Sequence, residues 1–334
     1  MSATIKKENE HFPVLLNELI SIISPHYGGT FIDCTFGQGG YTKRILQNNN
    51  NKVVAIDRDE KSKTFAEQLK AKYPNRFLFK NLKFSDIANV EKDINKLKGV
   101  IFDLGYSTYQ MNDPEKGLSF KNTGELNMKL GLNNYSAKEV INSLSEKELF
   151  TIFKFFGEEN QSKIISKKII KSRKGKSLNT QDLVNIVNSI KKNPKKKIHN
   201  ATKVFQALRI FVNEEISQLI YGLINSFKLL PIGGIMVIIT FHSIEDKIVK
   251  YFFKNYSEKK NTSRYLPSSN DRILLFKINK RKPIIPSKIE LKKNPSSRSA
   301  KLRYAIKLNN SDNFNDLIKK FEYLLDIEKL NKNL

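Results

Sequence analysis

A single cysteine, Cys34, stands among 334 residues, which excludes an intramolecular disulfide and any zinc site built on clustered cysteines. Histidine is scarce as well. His11, His26, His199 and His242 are the only four, none at metal-ligand spacing from another, so no metal is expected. Long apolar runs are missing too. The longest, residues 233–241, is far shorter than the ~20 residues that span a bilayer and reads as a buried strand. The first ten residues are polar, without the apolar core of a signal peptide, and too short and acidic for a transit peptide. These absences lead us to expect a globular cytoplasmic protein with no membrane partner.

Negative charge is the other shortage. Asp and Glu number 33 against 59 Lys and Arg, a formal net charge of +26. Such an excess attracts polyanions, and nucleic acid is the first candidate partner. Compositional drift is the plainer explanation, since Lys outnumbers Arg and residues 48–51 are all Asn. Drift should affect acidic and basic positions alike, however, and does not require so lopsided a balance. What is present suffices for a sizeable core: 39% of residues are hydrophobic, with 22 Phe and 12 Tyr. The length is roughly twice the ~150-residue prior for one domain, so one large domain carrying a smaller one is expected.

Short apolar runs alternate with helical patterns over the first hundred residues. Strands are predicted at 30–36, 53–57, 77–79 and 99–104, with helices near 42–47 and 60–71 between them. That alternation implies a parallel sheet with right-handed crossovers. It stops after Leu104. Ser136 with Glu139 and Ser145 with Glu148 match capping boxes, Leu183, Ile186, Val187 and Ile190 keep helical spacing, and nothing strand-like falls between about 111 and 198. We therefore expect an inserted all-α domain over 111–198, dividing a first part at 1–110 from a second at 199–310, with a helical tail at 311–334. Two basic stretches, 163–176 and 191–197, lie in the insertion; a solvated helix face is the plain reading of the first, and Pro194 makes the second a hinge loop. The alternation resumes with one long helix over 202–227, a strand at 234–241, a helix at 243–256 and an antiparallel pair at 272–279 and 301–308. The fold class expected is α/β, a doubly wound, mostly parallel seven-stranded sheet.

The chemistry-bearing residues fall at strand ends. Asp33-Cys34-Thr35-Phe36-Gly37-Gln38-Gly39-Gly40 closes the first strand and opens a helix, where glycines let the backbone approach a ligand. Asp57 ends the second strand twenty positions after Gly37, placed to accept hydrogen bonds from ribose hydroxyls. A dinucleotide site wants a third glycine where Thr42 stands near that place, whereas Asp33 before the loop suits the sulfonium and ammonium of S-adenosylmethionine. A turn carboxylate is the plainer reading of Asp33. Asp103 ends the fourth strand, beside the first, where it can reach the cofactor, while Ser107 and Thr108 face an acceptor. His242 closes the fifth strand near the same crevice and is a candidate catalytic residue that would orient the RNA or a hydroxyl, with a structural histidine as the alternative. Cys34 reads as a small core residue, and His11, beside Val14, Leu15 and Leu16, as packing. Arg298 and Arg303 are candidates for phosphate contacts, with a polar strand face as the alternative; Lys203 and Arg209 rank below them.

Taken together, these blocks resemble the bacterial small-subunit rRNA cytosine-N4 methyltransferases (the RsmH, formerly MraW, family). The resemblance runs through residues 11–16, the DxTxGxGG loop, AIDRD at 55–59, FDLGYSTYQ at 102–110, residues 117–120, HNATKVFQALRIFVNEE at 199–215, ITFHSIEDKIVK at 239–250 and NPSSRSAKLR at 294–303, in the family's order. It implies a Rossmann-like class I methyltransferase with a helical insertion that uses S-adenosyl-L-methionine to methylate N4 of the decoding-centre cytosine of 16S rRNA within the small ribosomal subunit. It also implies cofactor contacts at Gly39, Gly40, Tyr41, Asp57, Phe84, Asp103 and Gln110. No DNA is expected as a partner, and a homodimer is compatible with the sequence. Departures from the family pattern lie mostly on the acceptor side. Tyr41 replaces a usual His, Tyr106, Thr108 and Tyr109 replace a Val-Ser-Ser-Pro pattern, and residues 125–129 read Glu-Leu-Asn-Met-Lys where the family has Pro-Leu-Asp-Met-Arg. Asn127 thus keeps an acceptor oxygen and loses the charge of a base.

The exocyclic amine of cytosine is a poor nucleophile, so acceptors that align it are the expected catalytic groups: Ser107, Thr108, the Asn127 carbonyl and a backbone carbonyl. Tyr106 or Tyr109 is the expected stacking surface for a splayed-out base. A DNA cytosine-N4 methyltransferase and a nicotinamide enzyme are weaker readings. The alternative of another class is a non-catalytic RNA-binding assembly factor with a retained cofactor pocket, which the altered 125–129 segment favours and the retained Asp57, Asp103 and Gln110 oppose.

Overall fold

The computed structural model describes residues 13–93, 96–120, 124–191, 199–258 and 273–334. His11, most of the 191–197 stretch and Arg272 lie outside the described residues. In chain order the strands are β1 Gly29–Asp33, β2 Asn51–Asp57, β3 Phe77–Asn81, β4 Leu97–Asp103, β5 Ile235–Thr240, β6 Phe276–Lys277 and β7 Lys301–Lys307. The helices are α1 Leu16–Ile23, α2 Gly40–Leu46, α3 Ser62–Lys72, α4 Thr108–Asn112, α5 Ala137–Ser143, α6 Glu146–Phe155, α7 Ser162–Ser172, α8 Thr180–Ile190, α9 Thr202–Val212, α10 Glu215–Leu229, α11 Ser243–Asn255, α12 Lys288–Lys293 and α13 Asn315–Glu328.

All seven strands join one sheet in the order β3-β2-β1-β4-β5-β7-β6. The first five are parallel, and β7 runs antiparallel to both β5 and β6. This is the doubly wound, mostly parallel α/β sheet expected from the alternation. Val53 to Ile56 of β2 are buried without a break, the pattern of a parallel strand covered on both faces. The order reverses between β1 and β4, and ligands of such sheets bind beyond the carboxyl ends at that switch point. Asp33, Asp57 and Asp103 are the last residues of β1, β2 and β4. In register, Asp33 lies opposite Ala55 and Ile101, and Asp103 opposite Ile239.

The chain divides into two compact units, Met1–Gly105 with Asn225–Asp312, and Tyr106–Ile224 with Asn313–Leu334. The second unit is helical, with no strand among its described residues. Ser136 and Ser145 cap α5 and α6 in complete capping boxes with Glu139 and Glu148. Leu183, Ile186 and Val187 are buried along α8. The unit also takes in α9 and α13, which lie beyond the 111–198 limits read from the sequence. Helix α9 packs on α5 and α6, and α13 packs on α6.

The long helix expected over 202–227 is two helices. It breaks at Asn213 and Glu214, the latter at φ +51°, a conformation unfavourable for a residue with a Cβ. The cause is a buried tertiary partner. The Asn213 amide donates to the Met128 carbonyl at 2.9 Å, and its oxygen accepts from the Leu130 N–H at 2.9 Å. Helix α10 then starts afresh, its Ile216 and Ser217 N–H groups donating to the Glu328 carboxylate at 2.8 and 2.9 Å. At its other end, Lys307 of β7 donates to the Phe227 and Leu230 carbonyls at 2.7 and 2.6 Å. The Lys307 residue is 1% exposed, so Lys307→Met removes the buried donor that both carbonyls share. Buried unsatisfied acceptors cost about 1–3 kcal/mol each. We expect a urea-unfolding loss of about 2–4 kcal/mol for the variant; a loss below the assay error would show that water replaces the ammonium.

Candidate active site

Within the first unit, a glycine loop joins β1 to α2. Gly37 sits at φ +54°, and a Cβ there would meet nothing within 4 Å, so the loop borders open space. Its N–H donates to Asp57 Oδ2 at 2.6 Å. Gly40 is required for another reason, since a Cβ would lie 2.2 Å from Pro13 Cγ. Asp57 Oδ1 accepts from the Asp59 N–H at 2.8 Å. The Asp57 carboxylate, which also accepts from the Ser62 side chain, therefore ties the ends of β1 and β2 together, with one lone pair left for a ligand hydroxyl.

Asp33 is fully buried, accepting from the Thr42 hydroxyl at 2.7 Å and the Thr35 N–H at 3.3 Å. It has no surface for a ligand to touch and acts by shaping the loop and by its charge. Burial lifts its carboxyl to about 6, although Thr42 and Thr35 favour the ionised form. Thr35 also accepts the Asp103 N–H at 2.7 Å, a link between the loop and β4 that the sequence reading did not single out. Burial raises Asp57 as well, against the pull of the Asp59 and Gly37 N–H groups.

Asp103 is the most perturbed member. Burial, with the charges of Asp33 and Glu245 added, pushes it up to about 8 despite the Tyr41 hydroxyl. The Tyr41 hydroxyl lies 2.6 Å from the Val14 carbonyl and 3.1 Å from Asp103 Oδ2. It has one proton to give; donated to Val14, it leaves the phenol oxygen to accept from a protonated Asp103. Asp103 Oδ1 is buried with no hydrogen-bond partner among the described residues. Three carboxylates thus stand at one sheet edge with their pKa values raised, and one carries an orphaned oxygen. Phe84, packed edge-on against Phe102 at 5.5 Å, borders the same unit.

His242 follows β5 in the same unit. It is the N-cap of α11, with Nδ1 accepting from the Glu245 N–H at 3.5 Å and Nε2 3.0 Å from Glu245 Oε1. Glu245 returns hydrogen bonds to the Phe241 and His242 N–H groups at 2.7 and 3.2 Å. Arg303 on β7 donates from its guanidinium to Asp246 at 2.7 Å. Arg298 is exposed within the 3-10 turn Pro295–Ser299.

The second unit holds the remaining residues. Ser107 caps α4, its Oγ accepting from the Gln110 N–H at 3.2 Å while Gln110 Oε1 accepts from the Ser107 N–H at 2.9 Å. Thr108 is the first residue of that helix. Tyr106 and Tyr109 are 39% and 45% exposed, open enough to stack with a ligand. Asn127 is engaged locally, its amide donating to the Glu115 carbonyl at 2.9 Å and its oxygen accepting from the Lys129 N–H at 3.4 Å. Arg209, ranked low from sequence, is buried, bonded to Glu215 and stacked on Tyr106. The sequence offered no signal for that pair beyond its position in a shared block.

A model of the MraW methylase family matches residues 8–308. The chain is 40% identical over 315 residues to "Ribosomal RNA small subunit methyltransferase H" of Orientia tsutsugamushi (strain Ikeda), covering 90% of this chain and 99% of that protein. A relative of the same name from Wolbachia pipientis subsp. Culex pipiens is 40% identical over 299 residues, covering 88% and 97%. Among solved structures, an rRNA methylase from Streptococcus thermophilus overlaps loosely, with a TM-score of 0.35 at 12% identity over 87% of this chain and 96% of that one.

Proposed function

The chain belongs to the MraW methylase family, and from that premise we propose that it transfers a methyl group from S-adenosylmethionine to N4 of the decoding-centre cytosine of 16S rRNA within the small ribosomal subunit. The observation that carries the cofactor half is the orphaned Oδ1 of Asp103 among raised carboxylates. Such a cluster is electrostatically incomplete without a positive charge. S-adenosylmethionine supplies an electrophilic methyl group on a sulfonium and carries an adenosine ribose.

Asp57 accepts a ribose hydroxyl on the lone pair that Gly37, Asp59 and Ser62 leave open. Gly37, Gly39 and Gly40 keep the loop clear of side chains, Tyr41 holds Asp103, Phe84 offers an apolar wall, and Gln110 fixes the turn at Ser107. On the acceptor side, Ser107 retains one lone pair after capping α4, and Asn127 Oδ1 retains one after Lys129. These oxygens, with Thr108, align the amine hydrogens. Tyr106 and Tyr109 stack the extruded base. Because a methylated N4 sheds its proton readily, no dedicated base is needed, and the loss of a carboxylate at position 127 is tolerated. Incubation with unmodified small subunits and methyl-labelled S-adenosylmethionine tests the reading. Label in 16S rRNA supports it, while tight subunit binding without label supports the non-catalytic assembly-factor reading.

For RNA contact, α7 is the favoured surface. From residue 160 to residue 181 the chain carries seven Lys or Arg and no Asp or Glu. Ile165 and Ile169 are buried, whereas Lys163, Lys167, Lys168 and Lys171 are exposed. One helix face is thus a row of lysines spaced by single turns, suited to a phosphate backbone. Replacing Lys163, Lys167 and Lys171 together by Gln is expected to reduce the slope of log affinity against log salt by about 2, at ~0.7 for each phosphate no longer neutralised. An unchanged slope returns these lysines to a solvated face.

A further inference from the structure

We infer that Arg209 and Glu215 form a positioning pair that holds the Tyr106 ring as a fixed platform for a nucleobase. This rests on the proposal that Tyr106 stacks the target base. Arg209 Nε donates to Glu215 Oε1 at 2.7 Å and Nη2 to Oε2 at 2.9 Å, a two-pronged fork that fixes the guanidinium plane. The side chains are 9% and 15% exposed. The guanidinium carbon lies 4.8 Å from the centroid of the Tyr106 ring.

A buried ion pair is a poor device for stability, since apolar residues of equal volume often serve as well. Its distinctive product is geometry. A forked guanidinium held flat gives the tyrosine a rigid partner on one face, which a lysine ammonium does not. Tyr106 remains 39% exposed, which leaves part of its surface accessible to a base. The Ser107–Gln110 capping box fixes the backbone immediately after it. The guanidinium charge also draws π density toward the covered face, leaving the opposite face less negative and better suited to stack on an electron-rich aminopyrimidine.

The test uses the full-length protein on unmodified small subunits. Arg209→Lys keeps a cation for Glu215 and removes the flat fork, so it avoids leaving a buried carboxylate alone. It should leave the melting temperature within a few degrees and the cofactor Kd within about twofold, and lower kcat/KM for the subunit by about tenfold. The chain contains no tryptophan, so Tyr106→Trp introduces a unique indole that reports the ring's motion by time-resolved anisotropy. Adding Arg209→Lys should give that indole a fast local depolarisation absent from the single variant. Tyr106→Leu separates the two levels of inference. If Tyr106→Leu leaves turnover intact, the base-stacking reading fails and takes this inference with it. If Tyr106→Leu impairs turnover while Arg209→Lys does not, or the indole stays rigid, the positioning role alone is overturned.

Discussion

Asp103→Asn is expected to weaken S-adenosylmethionine binding by about 100-fold or more, abolish turnover, and raise the melting temperature of the unliganded protein at pH 8. The three effects share one cause. Burial and the neighbouring charges of Asp33 and Glu245 hold the Asp103 carboxyl at about 8, against 3.8 for an ordinary aspartate. A carboxyl whose folded-state pKa is raised contributes stability that is fully present below about pH 4 and is lost as the pH climbs through 8. Asn stays neutral throughout, so its advantage in the unliganded protein should grow across that window, to a few degrees in melting temperature. The cofactor reverses the balance. A cation favours the ionised carboxylate, and losing a charge-assisted interaction in a desolvated pocket falls in the upper part of the about 2–5 kcal/mol range, ~100-fold or more in affinity.

The same linkage gives a pH signature. At pH 7 a group with a pKa near 8 is about 0.9 protonated, so binding a cation should release close to one proton from Asp103. Calorimetry in buffers of different ionisation heat measures that number. Affinity should rise from pH 6 to 8, and both the rise and the released proton should be much reduced in Asp103→Asn. A wild type that releases no proton would contradict a cation at this carboxylate.

Asp57→Ala has the second-largest expected effect, by a different route. Asp57 accepts from the Gly37 and Asp59 N–H groups at 2.6 and 2.8 Å, so its removal leaves donors of the loop unpaired and takes away the ribose acceptor. Each unpaired donor costs about 1–3 kcal/mol, and lost pairing with a substrate hydroxyl adds to it. We expect cofactor affinity to fall beyond ~100-fold, with stability lowered rather than raised. The opposite signs on stability separate the two carboxylates: Asp57 serves the loop as well as the ligand, whereas Asp103 is strained without one. Equal melting-temperature changes at pH 8 for the two variants would contradict that division.

The parts of this protein legible in its sequence are those set by local pattern. Apolar runs with turns between them located all seven strands, because a strand covered on both faces must be apolar along its length. Ser136 and Ser145 announced their helices because a capping box is a four-residue event. Aspartates at strand ends marked the carboxyl edge. What was not legible depends on partners distant in sequence. Nothing near Asn213 shows that its side chain will bond to Met128 and Leu130 and break a helix. Nothing near Arg303 shows that Asp246 will lie beside it. Nor does anything near His242 show that its ring, rather than the Ser243 hydroxyl, will cap α11. Arg209 looked ordinary because its fork to Glu215 and its stack on Tyr106 exist only after the second unit has folded.

The central claim is the identity of the product. Small ribosomal subunits lacking the modification, incubated with the protein and S-adenosylmethionine, should yield N4-methylcytidine when their 16S rRNA is digested to nucleosides and weighed by mass spectrometry, and none with Asp103→Asn. A methylated nucleoside of another kind, or no methylated nucleoside from a protein that binds both cofactor and subunit, would contradict it.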